Sequence, residues 1–151
     1  MRTKIVVDTS VIIEYIDRAG TWHRYAMIIF NEIIRGRVVA YIPIIVLSEV
    51  LYVAKRLYEK KGISDPKRKA LRLVRWLYQH PNIRIVGKGF RTIVIAGLIK
   101  AKYHLAMSDC HVLAVSKLLR ARPIFRKKEK EMLKYLDALK RRYRVVFLED
   151  Y

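Results

Sequence analysis

Apolar residues in this chain fall into short unbroken runs that alternate with longer stretches in which they recur every three or four positions. The runs are Lys4 to Val7, Val38 to Ile42, Ile83 to Val86, Pro123 to Phe125 and Val145 to Leu148. They are rich in β-branched residues and lack polar alternation, which predicts strands covered on both faces, as in a parallel sheet packed between helices. The helical periods predict a short helix from Ser10 to Asp17 that stops near Gly20, followed by one with Trp22, Tyr25, Ala26, Ile29, Phe30 and Ile33 inward, capped by Thr21 and ended by Gly36. A third helix follows Pro43, with Val46, Val50, Val53 and Leu57 in one row and Leu47, Leu51, Ala54 and Tyr58 in the next. Ser64-Asp65-Pro66 restarts a strongly basic fourth. Others are predicted from Phe90 to Tyr103, from Ser108-Asp109 through Leu119, and from Glu129 to Arg141. No repeat, low-complexity tract or linker interrupts residues 1–151. The alternation predicts one α/β domain of three α/β/α layers, with a central parallel sheet of about five strands and right-handed crossovers.

Charge narrows the partner. With 32 Lys and Arg against 13 Asp and Glu, the net charge is +19, and such a field draws polyanions. A thermophile's ion-pair surface needs acids that this chain lacks. A membrane surface is disfavoured because the cations are spread over the length rather than gathered on one amphipathic helix. RNA or another nucleic acid is therefore the expected partner, with no membrane. No apolar stretch is long enough to span a bilayer and the amino terminus enters a strand without a signal-peptide pattern, so the expected location is cytoplasmic. The single cysteine, Cys110, forms no thiol-based metal site alone and reads as a small core residue.

Three acids stand apart from the other ten. Asp8, Glu49 and Asp109 each adjoin an apolar run where a helix begins, and helices that start at the carboxyl ends of parallel strands share one sheet edge. Asp8 is either the N-cap of the first helix or a ligand at that edge. Glu49 lies among apolar neighbours and needs a cationic partner or a bound species. Ser108 suits a cap, which leaves Asp109 unexplained by capping. Converging carboxylates repel unless some hold protons or a cation sits between them, and oxygen-only donors select Mg²⁺ or Mn²⁺. At a basic surface, such ions point to phosphodiester chemistry, with Asp8, Glu49 and Asp109 as catalytic metal ligands. Thr9 and Ser10 either cap the first helix or orient what the acids bind. His111, alone near a helix start, reads as structural.

The same segments resemble the PIN domain family. Val7-Asp8-Thr9-Ser10-Val11-Ile12, Leu47-Ser48-Glu49-Val50-Leu51 and Ser108-Asp109-Cys110-His111-Val112-Leu113-Ala114-Val115 match its three motifs in order and separation. The resemblance implies a doubly wound sheet, a Mg²⁺- or Mn²⁺-dependent endoribonuclease and a homodimer. In size it is nearest to VapC-type toxins, which an antitoxin protein silences, in this reading by offering an Arg to the carboxylates. The helices Trp22 to Ile33 and Leu71 to Tyr78 are candidate dimer surfaces. The chain departs from the pattern where a fourth acid is usual. Phe125-Arg126-Lys127-Lys128 stands there, and Glu129, then Glu131, are the nearest carboxylates. Glu129 is either the fourth metal ligand, reaching the site from a helix start, or a surface acid favoured there by the helix dipole. The alternative function is a catalytically inactive PIN module that binds RNA as a scaffold.

Overall fold

Five parallel strands, β1 (Thr3–Val7), β2 (Val38–Pro43), β3 (Ile83–Val86), β4 (Arg122–Phe125) and β5 (Val146–Phe147), lie in the order β3-β2-β1-β4-β5. The structure is a computed structural model that describes all residues from Met1 to Tyr151. Ile5, Val6 and Val7 are successively buried, as expected of a strand with helices on both sides. The helices are α1 (Thr9–Ile16), α2 (His23–Ile34), α3 (Ile44–Lys60), α4 (Pro66–Gln79), α5 (Phe90–Tyr103), α6 (Met107–Leu119), α7 (Lys130–Leu133) and α8 (Leu136–Tyr143). Right-handed crossovers place α1 to α4 on one face of the sheet and α5 to α8 on the other. The three-layer α/β/α expectation is met. The chain winds outward from β1 to β3 and then crosses back to β4, so a switch point lies between the carboxyl ends of β1 and β4. In sheets of this kind, ligands bind in that crevice.

The main core is one cluster of 35 buried residues. Phe30, Ile12 and Phe147 are among its largest fully buried side chains. Tyr15 stacks on Phe30 at 4.0 Å between ring centroids and faces Trp76 at 6.2 Å, tying α1, α2 and α4 together. Of the positions read as core in and before α2, Ala26, Phe30 and Ile33 are fully buried, whereas Trp22 and Tyr25 are half-buried at the edge of the core. Gly36, at φ +75°, ends α2 where a side chain would be strained.

Several boundaries differ from expectation for local reasons. The predicted helix from Glu129 to Arg141 is two helices, because Tyr135 leaves helical geometry (φ −115°, ψ 15°). Met132 and Leu139 are both buried, one on each side of the break, and Tyr135 packs edge-on against Tyr103 at 5.0 Å. The last strand is only Val146–Phe147, since Leu148 already belongs to a short 3-10 turn whose Glu149 N–H donates to the Arg126 carbonyl at 3.1 Å. Thr21 does not cap α2. The Trp22 N–H at that helix start donates instead to the Glu14 carboxylate at 3.1 Å. Ser108 is not a cap either, because α6 begins one residue earlier, at Met107.

Glu14 is 4% exposed, and burial without partners would make a carboxylate costly. Besides Trp22, it faces the Arg126 guanidinium at 3.6 Å. The turn carrying Trp22 passes so close that a Cβ at Gly20 would overlap the Glu14 carboxylate. Gly20→Ala should therefore destabilise by roughly 1–3 kcal/mol, lowering Tm by about 3–10 °C in thermal denaturation. An unchanged Tm would mean that the Glu14 pocket is loose.

Candidate active site

Asp8 follows β1 directly, and its N–H donates to the Ile124 carbonyl of β4 at 3.2 Å, extending the β1–β4 ladder to the switch point. Its side chain is also the N-cap of α1. Oδ2 accepts from the Ser10 N–H at 3.1 Å and the Ser10 hydroxyl at 2.6 Å. Thr9 and Ser10 therefore do not cap the helix, as one sequence alternative had it; the acid itself does. The two readings of Asp8 are compatible, because capping uses one oxygen only. Oδ1 is buried without a hydrogen-bond partner, a state a carboxylate avoids unless a proton or cation is supplied. Burial above all pushes the Asp8 pKa up, with a further push from Glu49, while the Ser10 bonds pull it down.

Ser10 also ties in the other wall. Its Oγ accepts from the Arg126 N–H, just beyond β4, at 3.1 Å. Ser10→Ala would remove both its hydroxyl bond to Asp8 and this tie. The expected result is a 10- to 100-fold loss of metal affinity, the usual cost of removing a group that orients a ligand, with little change in Tm. Equal affinity in isothermal titration would assign Ser10 to α1 alone.

Asp8, Glu49, Asp109, Glu129 and Glu131 line one cavity of about 390 Å³ at the switch point, with Arg126 and Lys127 on its rim. Glu49 reaches it from the second turn of α3 and is half-buried rather than enclosed. Asp109 lies in the first turn of α6. Its pKa is raised from the ordinary 3.8 to about 8, chiefly by burial and then by the charges of Asp8, Glu49, Glu129 and Glu131. Glu129 precedes α7 and acts on Asp109 more strongly than Glu131 does, which favours it as the fourth acid. Of the basic run after β4, Arg126 pairs with Glu14, and Lys128 pairs with Asp150 and Glu149. Lys127 alone faces the cavity without a carboxylate partner.

The donor chemistry fits a hard divalent cation: all the acids are oxygen donors, and Asp8 carries an orphan buried oxygen. The acids share the cavity, yet no three His, Cys, Asp or Glu side chains stand close enough to hold one ion. Closing these acids on an ion therefore requires side-chain movement. His111 and Cys110 do not line the cavity. The Cys110 thiol is buried, its pKa pushed up to about 11 mainly by that burial, so it is inert at neutral pH.

Glu14 is the residue that sequence reading missed. The signal was present, since Val11, Ile12, Ile13, Tyr15 and Ile16 surround it with apolar side chains, and a helix apolar on every side is buried. Its partner Arg126 is visible only in the fold.

Solved structures with the same architecture include VapBC2 from Rickettsia felis bound to a DNA fragment from their promoter, with a TM-score of 0.61 at 11% identity, covering 96% of this chain and 97% of that one. VapBC-1 from nontypeable Haemophilus influenzae has a TM-score of 0.58 at 13% identity, covering 96% of each chain. A toxin-antitoxin complex from Klebsiella pneumoniae has 0.56 at 20%, covering 85% and 90%. At these identities the likeness is one of fold. None of the curated proteins compared with the chain matches it significantly. The PIN domain model matches residues 5–128, a span that begins within β1, holds β2 to β4 and includes Asp8, Glu49 and Asp109. On that match, the chain belongs to the PIN domain family.

Proposed function

We propose that the protein is a Mg²⁺- or Mn²⁺-dependent endoribonuclease of the VapC toxin type. The observation that supports this most is the ring of carboxylates at the switch point, with an unpartnered buried oxygen on Asp8, in a chain of net charge +19. Asp8, Glu49 and Asp109 would hold the ion, with Glu129 as a fourth ligand. Bound there, the ion would supply Lewis-acid activation of a water and of the phosphodiester. The chain's own residues do the rest. Ser10 orients Asp8, Lys127 meets a phosphate at the cavity rim, and Asp109 gives up its proton when a cation enters.

The partner is proposed to be an antitoxin protein that offers a cation to the acidic cavity. This accords with the named complexes of the structural neighbours. A homodimer is proposed as well. What supports it is an exposed apolar row on α5, namely Phe90, Ile93, Val94 and Leu98; Leu71 and Tyr78 of α4 are exposed too, and α2 exposes Ile28 and Ile34 while burying Ala26, Phe30 and Ile33. No helix is long and apolar enough to cross a membrane, which accords with a cytoplasmic site of action.

A second reading draws on one observation: no three acids are gathered tightly enough for an ion. In that reading the domain binds RNA without cutting it. The deciding experiment incubates a mixed RNA pool with the protein in Mn²⁺, in Mg²⁺ and in EDTA. Cleavage in metal and none in EDTA supports the nuclease. Binding without cleavage under all three conditions supports the scaffold.

A further inference from the structure

Away from the acids, a pocket of about 310 Å³ is lined by Lys117, Arg120, Arg122, Arg142 and Arg144, with no carboxylate among its lining residues. Lys117 and Arg120 come from the end of α6, Arg142 and Arg144 from the end of α8, and Arg122 opens β4. All five are exposed, and none is in ion-pair range of an acid. Cations are favoured at helix carboxyl ends, but each end carries only about −0.5 charge. Two ends therefore offset about one of five positive charges, leaving about four unbalanced around one concavity.

Arg120 and Arg144 adopt left-handed backbone (φ 52° and 58°), where Gly or Asn would cap a helix at lower cost. Backbone geometry thus gives no reason for arginine at either position. Because Arg122 starts β4 and Arg126 follows its end, the pocket and the acidic cavity lie at opposite ends of one strand.

We propose that this pocket is a second binding site for the RNA backbone, holding phosphates of a strand whose scissile portion lies at the acidic cavity. Guanidinium groups match phosphate oxygens in pairs, and five crowded cations gain from replacing condensed counterions by a polyanion. The proposal rests on the nuclease reading for its substrate, and it makes that substrate an RNA long enough to pass around the β4–β5 edge. Short RNAs would fill only the acidic end.

The test measures binding of a single-stranded RNA of about forty nucleotides by fluorescence anisotropy in EDTA, across a salt series. A pocket variant carries Arg120→Asn, Arg122→Gln, Arg142→Gln and Arg144→Asn, with Asn chosen where the left-handed backbone accepts it. A comparison variant carries Lys67→Gln, Arg68→Gln, Arg72→Gln and Arg75→Gln on α4, so that both have a net charge of 19 − 4 = +15. Each lost phosphate contact lowers the slope of log affinity against log salt by about 0.7, so the pocket variant should lose roughly 2 to 3. That loss corresponds to affinity on the order of a hundredfold weaker at about 0.1 M salt.

The α4 variant should lose less than half as much slope. Equal losses in the two variants would show a diffuse field rather than a site and would overturn the proposal; so would no loss in the pocket variant. If a poly-glutamate peptide binds wild type but not the pocket variant while RNA binding is unchanged, the occupant is an acidic protein segment and the RNA assignment is wrong. Cleavage with Mn²⁺ is scored separately. If wild type cuts nothing, the nuclease reading fails, while the binding comparison still decides the pocket.

Discussion

On the proposed nuclease reading, Asp8→Asn should reduce metal-dependent RNA cleavage by at least about 100-fold while leaving the fold intact, because it would remove a ligand charge where loss of a merely orienting neighbour costs 10- to 100-fold. Asparagine caps helices as well as aspartate does, so the bond from the Ser10 N–H to this side chain survives the change. What disappears is the anionic orphan oxygen. Thermal denaturation separates the two effects. In wild type, Mn²⁺ at a hundred times its Kd should stabilise the fold by about 2.7 kcal/mol, raising Tm by roughly 5–10 °C. In Asp8→Asn that increment should vanish, while the metal-free Tm stays equal or rises because a buried charge has gone. If Mn²⁺ stabilises both proteins equally, Asp8 is a cap and not a ligand.

Asp109→Asn is expected to stabilise the metal-free protein, and more so as pH rises. The Asp109 carboxyl has a pKa of about 8 in the fold against an ordinary 3.8. Between those values the folded state therefore holds a proton that the unfolded chain releases. Folding is favoured by that proton at low pH, and the advantage is lost as pH rises from about 4 to about 8, the reverse of an ion-paired aspartate. Asparagine mimics the protonated form throughout. At pH 8 the variant should exceed wild type by on the order of 5 kcal/mol, or roughly 10–20 °C in Tm, and near pH 4 the two should nearly coincide. The same proton competes with a cation. Mn²⁺ affinity of wild type should rise about tenfold per pH unit up to about pH 8 and then level off. A flat affinity profile between pH 6 and 8 would show that Asp109 is ionised before metal enters, and that the acids repel one another less than their shared cavity implies.

Both predictions concern residues that sequence reading had singled out, and the reason is local. A carboxylate immediately after a buried strand, as at Asp8, or in the first turn of a buried helix, as at Asp109, is marked by its neighbours in the chain. Glu49 was marked in the same way, but its degree of burial was overestimated, since helical period tells which side faces inward and not where a neighbouring element stops covering it. Glu129 could be nominated only by its position in a motif. Its stronger influence on Asp109, relative to Glu131, is set by the fold.

The sequence by itself determined the elements and the class of fold, because period and β-branched runs are carried by residues a few positions apart: β3 and α5 fall where the pattern put them. It also determined the sign of the chain's own charge, since net charge needs no coordinates. Only the tertiary structure decided what depends on contacts between distant segments. Among these are the pairing of buried Glu14 with Arg126 and the locking of Lys128 by the carboxyl-terminal acids, which leaves Lys127 free at the rim. The break at Tyr135, made where Tyr103 packs against it, belongs with them, as does the gathering of five cations from α6, α8 and β4 into one pocket. The physical reason is common to all four. Burial and unscreened charge are set by everything within a few ångströms, and a chain brings together residues whose separation in sequence carries no trace of that proximity.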